Sequence, residues 1–409
     1  VSETTRSVSL GRANFLSTAR TPAAATAAFS AVGMTARPVR RLGGASPGGL
    51  ELPPANPTAS HMYAPRGVWT DGSMVIAADT GNHRVLIWNR FPDHDGAPAD
   101  LVLGQPDFTS EGPAAAGTSV ENGLYLPTGI AVIDGNLVVC DAWHHRLLVW
   151  DGIPTHTYAP PARTIGQSDL SGVEPNRGSD PTGASMYWPF GCAVVDRTFW
   201  VADTGNRRVL GWHISPGAPS LPDARRPADI VLGQDDANGR QDNRGEGISA
   251  LSFRWPHAIA GDAGSLFIAD AGDHRVLSWS PPPTNADTPA DGVLGQDDLA
   301  SMEEFKIRPQ GGQRMRFPYS VVLDAQRLFV ADTSNNRILI WHGIPRTLIG
   351  TAADTVLGQP DLDANGENRW SMVSDDSLCW PYGLSVAGNM LAIADSGNNR
   401  IMLWALDAQ

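Results

Sequence analysis

Six copies of one eleven-residue phrase run along this chain, and they confine its fold more tightly than any other feature. The first reads Ala78-Asp79-Thr80-Gly81-Asn82-His83-Arg84-Val85-Leu86-Ile87-Trp88. The others begin at Cys140, Ala202, Ala269, Ala331 and Ala394, so their aspartates fall at Asp141, Asp203, Asp270, Asp332 and Asp395, spaced by 62, 62, 67, 62 and 63 residues. A second phrase, Leu103-Gly104-Gln105-Pro106-Asp107, recurs from Ile165, Leu232, Leu294 and Leu357, always 38 residues before the next repeat aspartate. A proline stands fourteen residues ahead of every aspartate, at Pro65, Pro127, Pro189, Pro256, Pro318 and Pro381. Fixed spacing between markers confines insertions to loops, and a period of this size signals a repeat architecture.

Each period holds four short runs of strand-forming residues separated by turn residues. In the second copy these are 129–133, 137–140, 146–150 and 164–166, with a turn at Asp134-Gly135-Asn136. No helical periodicity interrupts them. Four antiparallel strands per repeat and six repeats predict an all-β, six-bladed β-propeller. Although 409 residues could form two or three domains, one period running from about residue 39 to the end predicts a single one over 39–409. A propeller must close, since open sheet edges invite pairing with other chains. The last repeat ends five residues after Trp404 without a fourth strand, while Leu42-Gly43-Gly44-Ala45-Ser46 lies 37 residues before Asp79 in the place of the Leu-Gly-Gln-Pro-Asp phrase. Residues 40–43 are therefore expected to complete the sixth blade.

Residues 1–38 differ in character. They are rich in Ala, Ser, Thr and Arg, with Glu3 as the only acid. This extension reads as a tail, either a disordered extension or, around residues 8–16, a segment that docks on a partner and folds there. Arg12-Ala13-Asn14-Phe15-Leu16 resembles a twin-arginine export motif, but Ala13 replaces one arginine of the pair. Cys140, Cys192 and Cys379 have neither disulfide-framework nor zinc spacing, which points to a reducing compartment and the cytoplasm. Cys140, alanine in the other five copies, reads as a small buried residue. No apolar stretch reaches the ~20 residues of a membrane-spanning helix. A net charge of −13 argues against general affinity for nucleic acid.

The phrase Asp-x-Gly-Asn-x-Arg-Val/Ile-Leu-x-Trp at 79, at 203 and, with Met402 for its leucine, at 395 resembles NHL repeats. The flanking Leu-Gly-Gln-Pro-Asp resembles bacterial members of that family. The resemblance covers 39–409 and implies the propeller fold. It does not choose a function, because it extends to RNA-binding and protein-binding modules, sensor domains and a metal-dependent lyase.

Residues present in every blade serve the blade. Each repeat aspartate is expected to accept hydrogen bonds from the backbone of the turn that follows it, and each repeat arginine to pair with an acid or a carbonyl of a neighbouring blade. The six repeat tryptophans are expected to pack between blades. Function is sought where the blades disagree. The residues just after the marker prolines, Arg66, Thr128, Phe190, His257, Tyr319 and Tyr382, are expected at one mouth of the channel, on the face that also carries the long connections between blades. Trp188, Trp255, Phe317 and Trp380 precede the prolines and join them in a candidate pocket. The competing reading is a plug that packs the channel.

The connections themselves, about 20 residues long, are candidate binding loops. Residues 237–256 carry Arg240, Arg244 and Arg254 against Asp242 and Glu246, and residues 299–318 carry Lys306, Arg308, Arg314 and Arg316 against Glu303 and Glu304. This basic sector is expected to attract an anionic ligand or an acidic partner. Asp361-Leu362-Asp363-Ala364-Asn365-Gly366 resembles half of a calcium loop, but Met372 stands where a bidentate Glu is required, so a turn is expected.

Only His257 stands in the ring where the lyases hold zinc through several histidines, so neither a metal nor another cofactor is expected, and no nucleophile–base pair stands out. The expectation is a non-catalytic protein-binding scaffold, using the loop face or the tail, without nucleic acid or membrane insertion. An enzyme of the lyase or hydrolase type with its pocket at the channel mouth is the alternative.

Overall fold

Each repeat builds one blade because its aspartate phrase forces a tight reversal between two fully buried strands. In blade 1 the strands Val75–Asp79 and Arg84–Trp88 are joined by a single 3-10 turn, Thr80–Asn82, closed by His83 at φ 56°. Gly81 is required there, since a Cβ would lie 2.3 Å from the Tyr63 ring. The computed structural model describes residues 29–31, 34–44, 54–304, 310–344 and 348–408. Within it, five four-stranded antiparallel sheets and one of five strands surround a central channel. In blade 2 the strands run, from the channel outward, Pro127–Ile133, Asn136–Asp141, Arg146–Trp150 and Arg163–Ile165. The all-β, six-bladed propeller expected from the repeat is the fold observed.

Blade 6 is closed by the N-terminal strand Met34–Gly43, which pairs with Arg400–Ala408 in a register placing Leu42 opposite Ile401. This strand is longer than the expected 40–43 because its partner runs nine residues, beyond the five or six of the equivalent strands. The ladder shifts register between Pro38 and Arg40, where proline has no N–H to give. Phe29–Ala31 adds a short outer strand by pairing with Met34 to Ala36. The tail's residues 8–16 and its Arg12 motif lie outside the described residues.

The core lies between blades rather than within them. Ile76, Val85 and Ile87 of blade 1, for example, pack on Leu137, Val139 and Leu148 of blade 2. The repeat tryptophans sit in these seams, as expected, and anchor the outer loops. Trp88 Nε1 donates to the Ala97 carbonyl at 2.9 Å and Trp150 Nε1 to that of Ala159 at 2.8 Å. Trp404 differs: its strand continues to Ala408 in pairing with the N-terminal strand, and its Nε1 is buried without a partner.

Candidate functional site

In blades 2 to 6 the marker prolines start the innermost strands and the ladder shifts register immediately after them, while in blade 1 Pro65 lies two residues before the strand Gly67–Thr70. A bulge re-aims the side chain it carries, here toward the channel. The six residues that follow the prolines accordingly converge. Phe190 and His257 meet at 4.3 Å between ring centres, His257 and Tyr319 at 4.4 Å, and Tyr319 and Tyr382 at 4.5 Å. The Arg66 guanidinium lies 4.9 Å from the Tyr382 ring centre, and Thr128 Oγ1 donates to the Phe190 carbonyl at 3.0 Å. A channel of about 510 Å³ lies against this ring, lined along the inner strands by residues such as Ile130, Cys192, Ala258, Val321 and Ser385.

The ring residues are largely engaged with one another. His257 Nδ1 donates to the Trp255 carbonyl at 2.8 Å, and burial, aided by the Arg66 charge, pushes its pKa down to about 3, so the imidazole is neutral. Burial and the neighbouring Tyr382 hold the Tyr319 hydroxyl well above its ordinary range. Among the described residues, no three His, Cys, Asp or Glu side chains lie close enough to hold a metal ion.

Residues before the prolines are held by a latch that the sequence reading missed. The closing residue of each aspartate turn reaches to the next blade and accepts the backbone N–H of its pre-proline residue. His83 Nδ1 accepts from Leu126 at 3.1 Å, His145 Nδ1 from Trp188 at 3.3 Å and His274 Nδ1 from Phe317 at 3.2 Å. Asn336 Oδ1 accepts from Trp380 at 2.9 Å and Asn399 Oδ1 from Ala64 at 2.8 Å. Latched residues are held at positive φ, including Trp188 at 53° and Trp380 at 52°. Arg207 is the exception that explains the rule. Lacking an acceptor, it pairs instead with Asp242 at 2.6 Å, while the Trp255 N–H donates to Asp270 and Trp255 avoids positive φ. The readable signal was the fourth residue after each aspartate, which offers an acceptor in five of six copies. Service as acceptors requires neutral imidazoles, and burial lowers the pKa of His83 and takes that of His145 down to about 4.

The repeat aspartates and arginines are structural, but not through the partners expected. Asp79 Oδ1 takes the Tyr63 N–H at 2.7 Å, sixteen residues upstream, and its Oδ2 takes Arg84 Nε at 2.7 Å and Asn82 Nδ2 at 2.8 Å. The following turn needs no help, since the His83 N–H already bonds the Thr80 carbonyl. Arg84 pairs within its own blade and spends its remaining donors on the carbonyls of Phe108, Thr58 and His61, tying the incoming and outgoing connections together. All six Asp–Arg pairs are fully buried.

The basic sector is offset by Glu304 from within its own loop and by Asp297, Asp180 and Asp235, acids that a loop-by-loop count does not include. Arg314 pairs with Asp297 and Arg316 with Glu304, both at 2.7 Å. Arg240 lies 3.6 Å from Asp180 and Arg244 3.1 Å from Asp235. Arg254 lies over the Trp255 ring. Lys306 and Arg308 lie outside the described residues. Asp361 Oδ1 accepts the N–H groups of Asp363 and Ala364, the turn expected in place of a calcium loop.

What the loop face does expose is aromatic. Trp143 is 40% exposed, Trp370 80% and Trp380 41%. Trp143 stands where four other copies have glycine, and its ring packs at a tilt against those of Trp188, 5.1 Å away, and Tyr125, 5.5 Å away. Trp380 Nε1 donates to Glu367 at 3.0 Å, drawing it toward the turn that carries Trp370. Trp255 stacks on Phe317 at 6.2 Å.

The family model for the NHL repeat matches residues 124–150, which contain the aspartate phrase of blade 2. NHL repeat-containing protein 2 of Bos taurus is 23% identical over 367 residues, covering 82% of this chain and 45% of the relative. The Gallus gallus protein of the same name is 23% identical over 391 residues, covering 88% and 48%. The chain thus spans about half the length of these curated relatives. Among solved structures, a structural genomics protein of unknown function from Bacteroides thetaiotaomicron aligns over 92% of this chain and 77% of its own, with a TM-score of 0.47 and 12% identity.

Proposed function

As the chain is an NHL-repeat protein folded into a six-bladed propeller, we propose that it is a non-catalytic scaffold that docks another protein on the loop face around the channel mouth. One observation carries this reading. Of the eight large hydrophobic side chains exposed among the described residues, six lie on that face: Tyr63, Trp143, Met302, Trp370, Met372 and Trp380. Large apolar groups gathered on one face mark interaction surfaces, and tryptophan is the side chain most often found at their energetic centre. Because Arg240, Arg244, Arg314 and Arg316 are already paired with acids, the partner is expected to contribute an apolar segment rather than an acidic one. The N-terminal tail is the second contact proposed.

The ring at the channel mouth supports binding rather than chemistry. Thr128 Oγ1 and His257 Nδ1 are engaged by backbone carbonyls and Tyr319 packs on Tyr382, whereas a catalytic pair needs a lone pair or proton aimed at a substrate. The Arg66 Nε, which has no hydrogen-bond partner, is a donor suited to holding a ligand. The test is a pulldown with the full chain and with a triple variant, Trp143→Gly, Trp370→Ala and Trp380→Ala. Each change removes an exposed side chain, and glycine is what four other blades carry at the first position. The expected result is a specific partner whose affinity falls about tenfold or more in the variant, while the melting midpoint moves little. Equal binding by both chains, or no partner together with turnover of a small molecule, would reject the loop-face scaffold.

A further inference from the structure

Cys140 and Cys192 lie 52 positions apart in sequence, in different blades, and the fold brings them together. Cys140 is the next-to-last residue of the strand Asn136–Asp141 in blade 2 and faces blade 3, in a cluster with Phe199, Val201 and Trp212 against which Cys192 packs. The inner strands of the two blades approach to backbone contact at Gly129 and Gly191. A Cβ on Gly129 would lie 3.0 Å from the Gly191 Cα and 3.1 Å from Cys140 Sγ. The buried thiol therefore stands within a side chain's reach of the residue beside Cys192, and the neighbouring Cys192 thiol adds to burial in raising the Cys140 pKa. Cys140 is fully buried, but Cys192 lines the channel and is partly exposed.

We infer that Cys140 and Cys192 form a redox site, a thiol pair that a small peroxide entering the channel converts into a disulfide linking blades 2 and 3. The chemistry balances in two steps. The Cys192 sulfur attacks the peroxide O–O bond, becoming a sulfenic acid and releasing water. The Cys140 sulfur then attacks the sulfenic sulfur, forming the S–S bond and expelling a second water, so that two thiols are oxidised and one hydrogen peroxide is reduced to two waters. Burial holds the Cys140 thiol well above its ordinary range, which makes the second step slow near neutral pH and faster in alkali, because the thiolate is the nucleophile. Cys379 belongs to blade 6 and takes no part.

The test is oxidation of the folded full chain with hydrogen peroxide, followed by thiol titration and peptide mapping without reductant. Free thiols are expected to fall from three to one. The mass should drop by two hydrogens, and the peptides carrying Cys140 and Cys192 should become joined, reversibly with dithiothreitol. A disulfide closing a loop of this length should also raise the melting midpoint by several degrees. Cys379→Ser should leave the reaction intact. Cys140→Ala, the residue of the other five blades and hence compatible with the fold, should abolish it and leave Cys192 to proceed to sulfinic acid. Persistence of all three thiols, a cross-link involving Cys379, or a Cys192 sulfinic acid beside a free Cys140 in the parent chain would overturn the inference.

Discussion

Deleting residues 1–43 is expected to abolish cooperative unfolding and to leave a chain that self-associates. The strand Met34–Gly43 supplies nearly the whole ladder along Arg400–Ala408, and it also bridges the seam where the ring of blades begins and ends. Leu42 is fully buried among Met62, Val75 and Ala77 of the first repeat and Ile401 and Leu403 of the last. The Arg41 N–H donates to Asp95 at 3.0 Å and its guanidinium pairs with Asp375 at 3.2 Å, while Arg40 Nε reaches the Pro92 carbonyl at 3.1 Å. Losing one ladder, one buried leucine and these ties together amounts to a substantial part of the roughly 5–15 kcal/mol by which a domain is held. It also uncovers Arg400–Ala408 as a long apolar edge, the kind that templates pairing between chains. Circular dichroism melts and sedimentation would show a broad, early transition and concentration-dependent assembly. A peptide spanning residues 34–44, added in trans, should restore a sharp transition. A sharp, unshifted melt of the truncated monomer would mean that closure does not depend on this strand.

Closure was legible because it depends on counting: the missing strand at one end and the displaced phrase at the other both follow from fixed spacings. The ring at the channel mouth was legible for the same reason, since Arg66, Phe190, His257, Tyr319 and Tyr382 occupy one position relative to the marker prolines. The partners of the repeat polar groups were not. Asp79 bonds a backbone N–H sixteen residues upstream, and Arg84 bonds three backbone carbonyls. Backbone groups are the same whatever the residue, so they leave no mark in the sequence. The basic sector misled for a different reason. Arg240, Arg244 and Arg314 are met by Asp180, Asp235 and Asp297, acids outside the loops in which the charges were summed, and folding rather than proximity along the chain makes them neighbours. The approach of Cys140 to Cys192 was hidden likewise, since the two residues occupy different positions within their repeats and no spacing pairs them.

Asp273→Asn is expected to stabilise the protein, most strongly at and above neutral pH. In four blades the third residue after the repeat aspartate is an asparagine whose amide donates to that aspartate at 2.8 Å: Asn82, Asn206, Asn335 and Asn398. In blade 2, His144 stands at the same place, 2.8 Å from Asp141. Blade 4 alone puts a second carboxyl there. Asp273 is fully buried beside Asp270, lies 3.5 Å from Arg275, and has an Oδ2 with no hydrogen-bond partner. Burial, and then the Asp270 charge, push its pKa from 3.8 up to about 7. Folding therefore takes up a proton between these values, and the site's contribution to stability, intact below about pH 4, is lost as pH rises through 7. At roughly 1.4 kcal/mol per unit of pKa, and allowing for the sharing of one proton between two acids, the penalty above pH 7 is about 2–4 kcal/mol. An amide at this position donates to Asp270 without a charge and meets Asn243 as Asn206 meets Asn176, so the penalty disappears. The latching histidines act with the opposite sign. His145, with its pKa pushed down to about 4, contributes stability that is present above its unfolded value near 6.5 and lost as pH falls toward 4. In the parent chain the Asp273 slope opposes that of His145 between pH 4 and 7, whereas the variant loses the Asp273 contribution. Chemical denaturation across that range should show the two chains nearly equal at pH 4 and diverging steadily to pH 8. A difference independent of pH, or a variant less stable at pH 8, would show that Asp273 is not the strained member of its pair.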